Sequence, residues 1–311
     1  MITETTRGVF VIAATPFTGA GEVDFPSIDR MVDYYLQRGV DGLTVLGVMG
    51  EAPKLTQVEA IAVVKATLAR MGGRPVIVGV SAPGLAAIGE LTRAVMDMGA
   101  AGVMVAPPGS LKTNEQIVQY YAGVVDAIGT DVPLCLQDYP LVTGVTISPA
   151  TLLQIFAAHP SIVMLKHEDW PGLGKITALR EAEAAGNRRV SILCGNGGLF
   201  LPEEMRRGAD GAMTGFAYPE MMVGVVRAAA AGDHDRAQDI FDAYLPLVRY
   251  EQQQGVGLAV RKYVLAKRGA IATATQRKPG TGLAPAAVRE VEFLIGRMER
   301  RLDEIGAAPA P

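Results

Sequence analysis

Two cysteines in 311 residues, Cys135 and Cys194, are too few to staple a fold, and both sit inside apolar runs. They read as buried small hydrophobes in a reducing compartment, which excludes a disulfide framework. A surplus of charge is also missing: 29 basic against 32 acidic residues leave a formal net charge of -3, without a run of like sign. Such a balance calls for no nucleic-acid partner. Residues 8–15 are too short an apolar stretch to span a bilayer, and the N-terminal Met-Ile-Thr-Glu-Thr-Thr-Arg lacks a charged segment followed by a long hydrophobic one. Neither a leader nor a membrane partner is expected, and the chain reads as cytoplasmic. The three histidines, His159, His167 and His234, are too scattered to gather a metal, and none is expected. No Gly-x-Gly-x-x-Gly follows the first apolar run, which argues against an open nucleotide-binding sheet.

What is present is core-forming material, 49% hydrophobic residues, enough to bury one large core or a core with a smaller appendage. A junction recurs three times: Gly39-Val-Asp-Gly42, Gly99-Ala-Ala-Gly102 and Gly208-Ala-Asp-Gly211. In each, the first glycine suits the left-handed residue that ends a helix, and the second admits a tight turn into a strand. The spacings fit two and then four strand–helix units. Continuous apolar runs at 8–14, 42–46, 76–80, 102–106, 133–137, 163–166, 191–194 and 211–214 predict eight buried parallel strands. Helical patterns lie between them, clearest where Ile28, Met31, Val32, Tyr35 and Leu36 share a face. Eight strands alternating with helices predict a (β/α)8 TIM barrel over residues 1–225, and the helical periods that follow predict a C-terminal helical domain over 226–311. Residues 306–311 are rich in Ala and Pro and are expected to fray.

In such a barrel, chemistry sits at the C-terminal ends of the strands. Of eight lysines only Lys166 ends a buried apolar strand, and desolvation there favours the neutral amine that attacks a carbonyl. The competing reading is a lysine that snorkels outward or pairs with Glu168 or Asp169. Gly47-Val48-Met49-Gly50-Glu51 follows the second strand, where backbone N–H groups would meet a carboxylate; the plainer alternative is a tight turn with Glu51 opening a helix. Gln137 and Tyr139 share a face at the end of strand five, so Tyr139 is a candidate acid or a lid. Gly195 and Asn196 after strand seven fit an anion cradle, and Thr214 at the end of strand eight joins the candidate binding residues.

Taken together, Gly47-x-x-Gly50-Glu51, the tyrosine–proline segment closing strand five, a lysine ending strand six and Gly195-Asn196 resemble the dihydrodipicolinate synthase/N-acetylneuraminate lyase family over residues 8–300. The resemblance implies a barrel with a helical tail in homodimers or homotetramers. It further implies a Schiff base between Lys166 and pyruvate or another 2-oxo acid, with no cofactor beyond that covalent imine, and hence a lyase of the aldolase or dehydratase kind. The chain departs from the family pattern where it carries Val48 and Met49 in place of two hydroxyl residues, Gln137 in place of a tyrosine, Pro108-Gly109 near a donated tyrosine and Val142 in place of an arginine. These departures argue against the lysine-pathway synthase. Tyr139 or Glu168 is then expected to replace the lost proton relay, with the N–H groups of Gly50 and Glu51 and the helpers Thr143 and Gly144 holding the carboxylate. The competing function is a barrel that has lost turnover and binds a keto or sugar acid as a sensor or partner protein.

Overall fold

The computed structural model describes residues 1–307, so most of the stretch expected to fray lies outside the described residues. Eight parallel strands close on themselves in sequence order: β1 (Gly8–Ile12), β2 (Gly42–Val45), β3 (Val76–Gly79), β4 (Gly102–Val105), β5 (Leu134–Asp138), β6 (Ile162–His167), β7 (Ser191–Cys194) and β8 (Gly211–Ala212). Each predicted run holds a strand. The barrel closes through a two-residue seam, Gly8 opposite Gly211 and Val9 opposite Ala212.

Helices α1 (Phe25–Gln37), α2 (Gln57–Met71), α3 (Leu85–Asp97) and α4 (Asn114–Ile128) cover the first half of the barrel. After β5 come the single turn α5 (Pro140–Thr143), α6 (Pro149–Ala158), α7 (Leu173–Ala184), α8 (Leu201–Arg206) and α9 (Pro219–Ala230). The tail is α10 (His234–Glu251), α11 (Gly257–Lys267) and α12 (Pro285–Glu304). Helix α9 packs on β1 and runs through position 225, where the sequence reading divides the chain. None of the helices among the described residues is long and apolar enough to cross a membrane.

The glycine junctions have the expected backbone: Gly39, Gly99 and Gly208 sit at φ of +75°, +95° and +91°. Their partners Gly42, Gly102 and Gly211 open β2, β4 and β8, and a Cβ at each would stand within 2.8 Å of a neighbouring strand or side chain.

Alternation along the strands sorts the side chains into two layers. Phe10, Ile12, Ile77, Met104, Cys135, Met164, Leu193 and Met213 fill the barrel interior, whereas Val11, Leu43, Val78, Val105, Leu136, Leu165 and Cys194 pack against the helices. Both cysteines are free and buried, one in each layer. On β6 the inward series runs from Met164 to Lys166, and Leu165 and His167 face the helices.

Candidate active site

Lys166 caps the packed barrel interior at its C-terminal end and is 4% exposed. Its Nζ lies 3.0 Å from Oε2 of Glu168, itself buried. The same oxygen accepts a hydrogen bond of 2.6 Å from Nε2 of Gln137, the residue paired with Lys166 across β5 and β6. The pairing with Glu168 is therefore the observed arrangement, but it does not seal the lysine. A cavity of about 50 Å³ adjoins it, lined among others by Tyr139, Asn196, Thr214 and Arg261. That exceeds the ~10–15 Å³ that one water requires.

The remaining parts hold Glu168 in place. Its carbonyl accepts from Nδ2 of Asn196 at 3.1 Å, and its own N–H donates to the Asp138 carbonyl. A Cβ on Gly195 would stand 2.1 Å from Cγ of Glu168, so glycine is required there to seat the acid. This corrects the cradle reading of that loop. The N–H groups of Gly195, Gly197 and Gly198 are engaged by the His167 carbonyl, the Thr214 hydroxyl and the Gly195 carbonyl, and the loop offers no row of open donors at those three positions. The Tyr139 phenol is held protonated: burial, reinforced by the charge of Glu168 and opposed by that of Arg261, pushes it up to about 12.

The turn after β2 also differs from expectation. The N–H of Gly50 bonds the Gly47 carbonyl and that of Glu51 the Val48 carbonyl, so neither is open to a carboxylate. Val48 and Met49 stand ahead of the first hydrogen bond of this 3-10 turn and line the cavity. The plain turn is what forms: Glu51 sits at φ +54° between two 3-10 turns, preceding the short one at Ala52–Lys54, with its carboxylate bound by Lys262 at 2.5 Å and Lys54 at 2.7 Å. Thr143 is not among the residues lining the cavity; its hydroxyl donates to the Tyr139 carbonyl, and Gly144 ends α5 in the left-handed region.

Sequence reasoning missed Arg261 and Gln252, which enter the cavity wall from α11 and from the end of α10. The available signal was an arginine inside the apolar run from Gly257 to Leu265, where a charge needs a reason to be buried. Behind the site, on the helix side, Lys175 bonds Asp138 at 2.5 Å and Asp169 at 2.7 Å. Burial holds Asp138 up at about 6 and the neighbouring His167 down at about 4.

A closed (β/α)8 barrel with an inward lysine ending its sixth strand, an acid against that lysine and a phenol in the same cavity defines a lyase of the aldolase and dehydratase type. A profile of the Dihydrodipicolinate synthetase family matches residues 5–297, and the chain belongs to that family. Its members use no external cofactor. The chain is 30% identical over 299 residues to an L-2-keto-3-deoxyarabonate dehydratase of Azospirillum brasilense, covering 94% of each protein. It is 31% identical over 286 residues to a 4-hydroxy-tetrahydrodipicolinate synthase of Thermomicrobium roseum, covering 90% of each. Among solved structures, a dihydrodipicolinate synthase from Rhodopseudomonas palustris superposes with a TM-score of 0.94 at 56% identity, over 95% of this chain and 99% of that one.

Proposed function

We propose that Lys166 forms a Schiff base with pyruvate or another 2-oxo acid, and that the enzyme catalyses aldol cleavage, condensation or dehydration through it, outside the lysine pathway. The observation that carries this reading is the contact of Lys166 with Glu168 beside an open cavity. Glu168 accepts a proton from the ammonium, the free Nζ attacks the ketone carbon, an amine proton passes to the carbinolamine oxygen, and Glu168 returns its proton to that oxygen, which leaves as water and frees the carboxylate again. The resulting iminium draws electrons from the adjacent carbon. Loss of a proton from that carbon to Glu168 gives an enamine, which expels a hydroxyl from the next carbon or attacks an aldehyde. Tyr139 donates the proton to the departing or newly formed oxygen. Val48 and Met49 present backbone N–H groups to the carboxylate, with Gln137, Asn196 and Thr214 shaping the remaining wall. Val48 and Met49 themselves bring no hydroxyl to relay a proton, so the relay falls to Glu168 and Tyr139 and not to the turn after β2.

Incubation with pyruvate and borohydride, followed by digestion, should add mass to the peptide holding Lys166. No adduct with any of a panel of 2-oxo acids would refute the imine and favour a sensor that binds such acids without turnover. Lys166→Ala should abolish labelling; retained labelling would place the reactive amine elsewhere. We further propose a homodimer or homotetramer, which light scattering on the purified chain tests directly.

A further inference from the structure

Arg261 is 1% exposed, and its guanidinium is only partly satisfied. Nε donates to Oε1 of Glu251 at 2.6 Å and Nη2 donates to the Gly215 carbonyl, whereas Nη1 has no hydrogen-bond partner although it is buried. The residue lines the same cavity as Lys166. A Cβ on Gly215 would stand 1.9 Å from Nη1, so the glycine at that position is what lets the guanidinium lie over the end of β8. A strut between the tail and the barrel would need only the Nε and Nη2 contacts. Leaving two further N–H bonds buried and unpaired is unfavourable, and an acceptor that enters with the ligand relieves it. Glu251 engages Nε, so it need not be displaced for Nη1 to donate to a ligand oxygen.

We propose that Arg261 is a specificity-determining residue, using Nη1 to bind a carboxylate of the substrate. A planar guanidinium held by two fixed contacts presents its third nitrogen in one direction, which suits a carboxylate oxygen better than a mobile ammonium would. The carboxylate is either the one beside the ketone or a second one at the far end of the molecule. This inference rests on the keto-acid reading of the site and names what that site selects.

Two probe pairs distinguish the sources: pyruvate against methyl pyruvate for the near carboxylate, and 2-oxoglutarate against 2-oxobutyrate for a distant one. For each probe the half-saturating concentration is measured by borohydride trapping at Lys166 and, independently of imine formation, by the ligand-induced rise in Tm. The proteins are the unaltered chain, Arg261→Lys, and the double variant Arg261→Met with Glu251→Gln, which removes both buried charges together. In one pair the member bearing the additional carboxylate should weaken by about tenfold relative to its partner in both variants, the scale of one lost charge-assisted hydrogen bond. That pair identifies the carboxylate. Ratios between the two members of each pair that stay within about twofold of the unaltered chain in both pairs would overturn the proposal and leave Arg261 as a strut. A carboxylate-dependent Tm rise lost in the variants, without any adduct on the unaltered chain, would support Arg261 while refuting the imine; an adduct with unchanged ratios would do the reverse.

Discussion

Gln137 and Lys166 are register partners on β5 and β6, and both reach the same oxygen of Glu168, at 2.6 Å and 3.0 Å. The acid is thus aimed by one neutral and one charged donor. Glu168→Gln keeps the shape and removes the proton acceptor, so kcat should fall by about 10²- to 10⁴-fold, with slower labelling of Lys166. Gln137→Leu only loosens the aim and should cost less. Equal losses in the two variants, measured as steady-state kcat, would remove Glu168 from the proton relay.

Because Tyr139 is held up to about 12, its phenol stays protonated across the range in which enzymes are assayed. The pH profile of kcat/KM should therefore have no alkaline limb from Tyr139 below about pH 11, and Tyr139→Phe should lower kcat by about 10²-fold without removing a limb. A limb near pH 9 to 10 that vanishes in Tyr139→Phe would contradict this.

Lys262 and Glu51 are both fully enclosed, and burial lowers the lysine's affinity for its proton while Glu51 restores part of it. Glu51→Gln leaves an ammonium buried without its counter-charge and should destabilise the fold by about 3–5 kcal/mol in urea unfolding. Pairing it with Lys262→Met should recover much of that loss, and failure to recover would mean that the pair is not energetically coupled.

Glu204, on α8, has its carboxyl pushed up to about 8 by burial, with a hydrogen bond from Cys194 opposing and Glu203 adding to the rise. A carboxyl whose folded value lies above its unfolded value of 4.5 stabilises fully below that value and loses the contribution as pH rises through about 8. Tm should therefore decline from pH 5 to pH 8, with a contribution approaching ~1.4 kcal/mol per pH unit from this group, and this contribution should level off above about pH 8. Glu204→Gln should flatten that decline; an unchanged slope would assign it to other groups.

The barrel was legible because its strands are continuous apolar runs and its junction glycines need a left-handed backbone, both of which are local properties. Lys166 was legible for the same reason, since a charge that ends such a run must lie at the barrel mouth. The turn at 47–51 and the loop at 195–198 were misread because the outcome depends on where each N–H points. Glu51 takes φ +54° and closes its own turn, and Gly195 makes room for Glu168. Arg261 escaped notice because helical periodicity gives the buried face of α11 but not the end of the barrel it meets. Its partners Glu251 and Gly215 lie on α10 and after β8, joined to it only by tertiary packing.

The seam between β1 and β8 consists of only two residue pairs, yet it joins the beginning of the cylinder to its last strand. A ribosome-bound chain halted before Gly211 therefore exposes the bare edges of β1 and β7, and such edges recruit other strands. Fragments ending there should aggregate instead of folding halfway, and the pocket, whose wall includes Thr214, Gly215, Gln252 and Arg261, can assemble only once the whole cylinder and α11 of the tail have been synthesised.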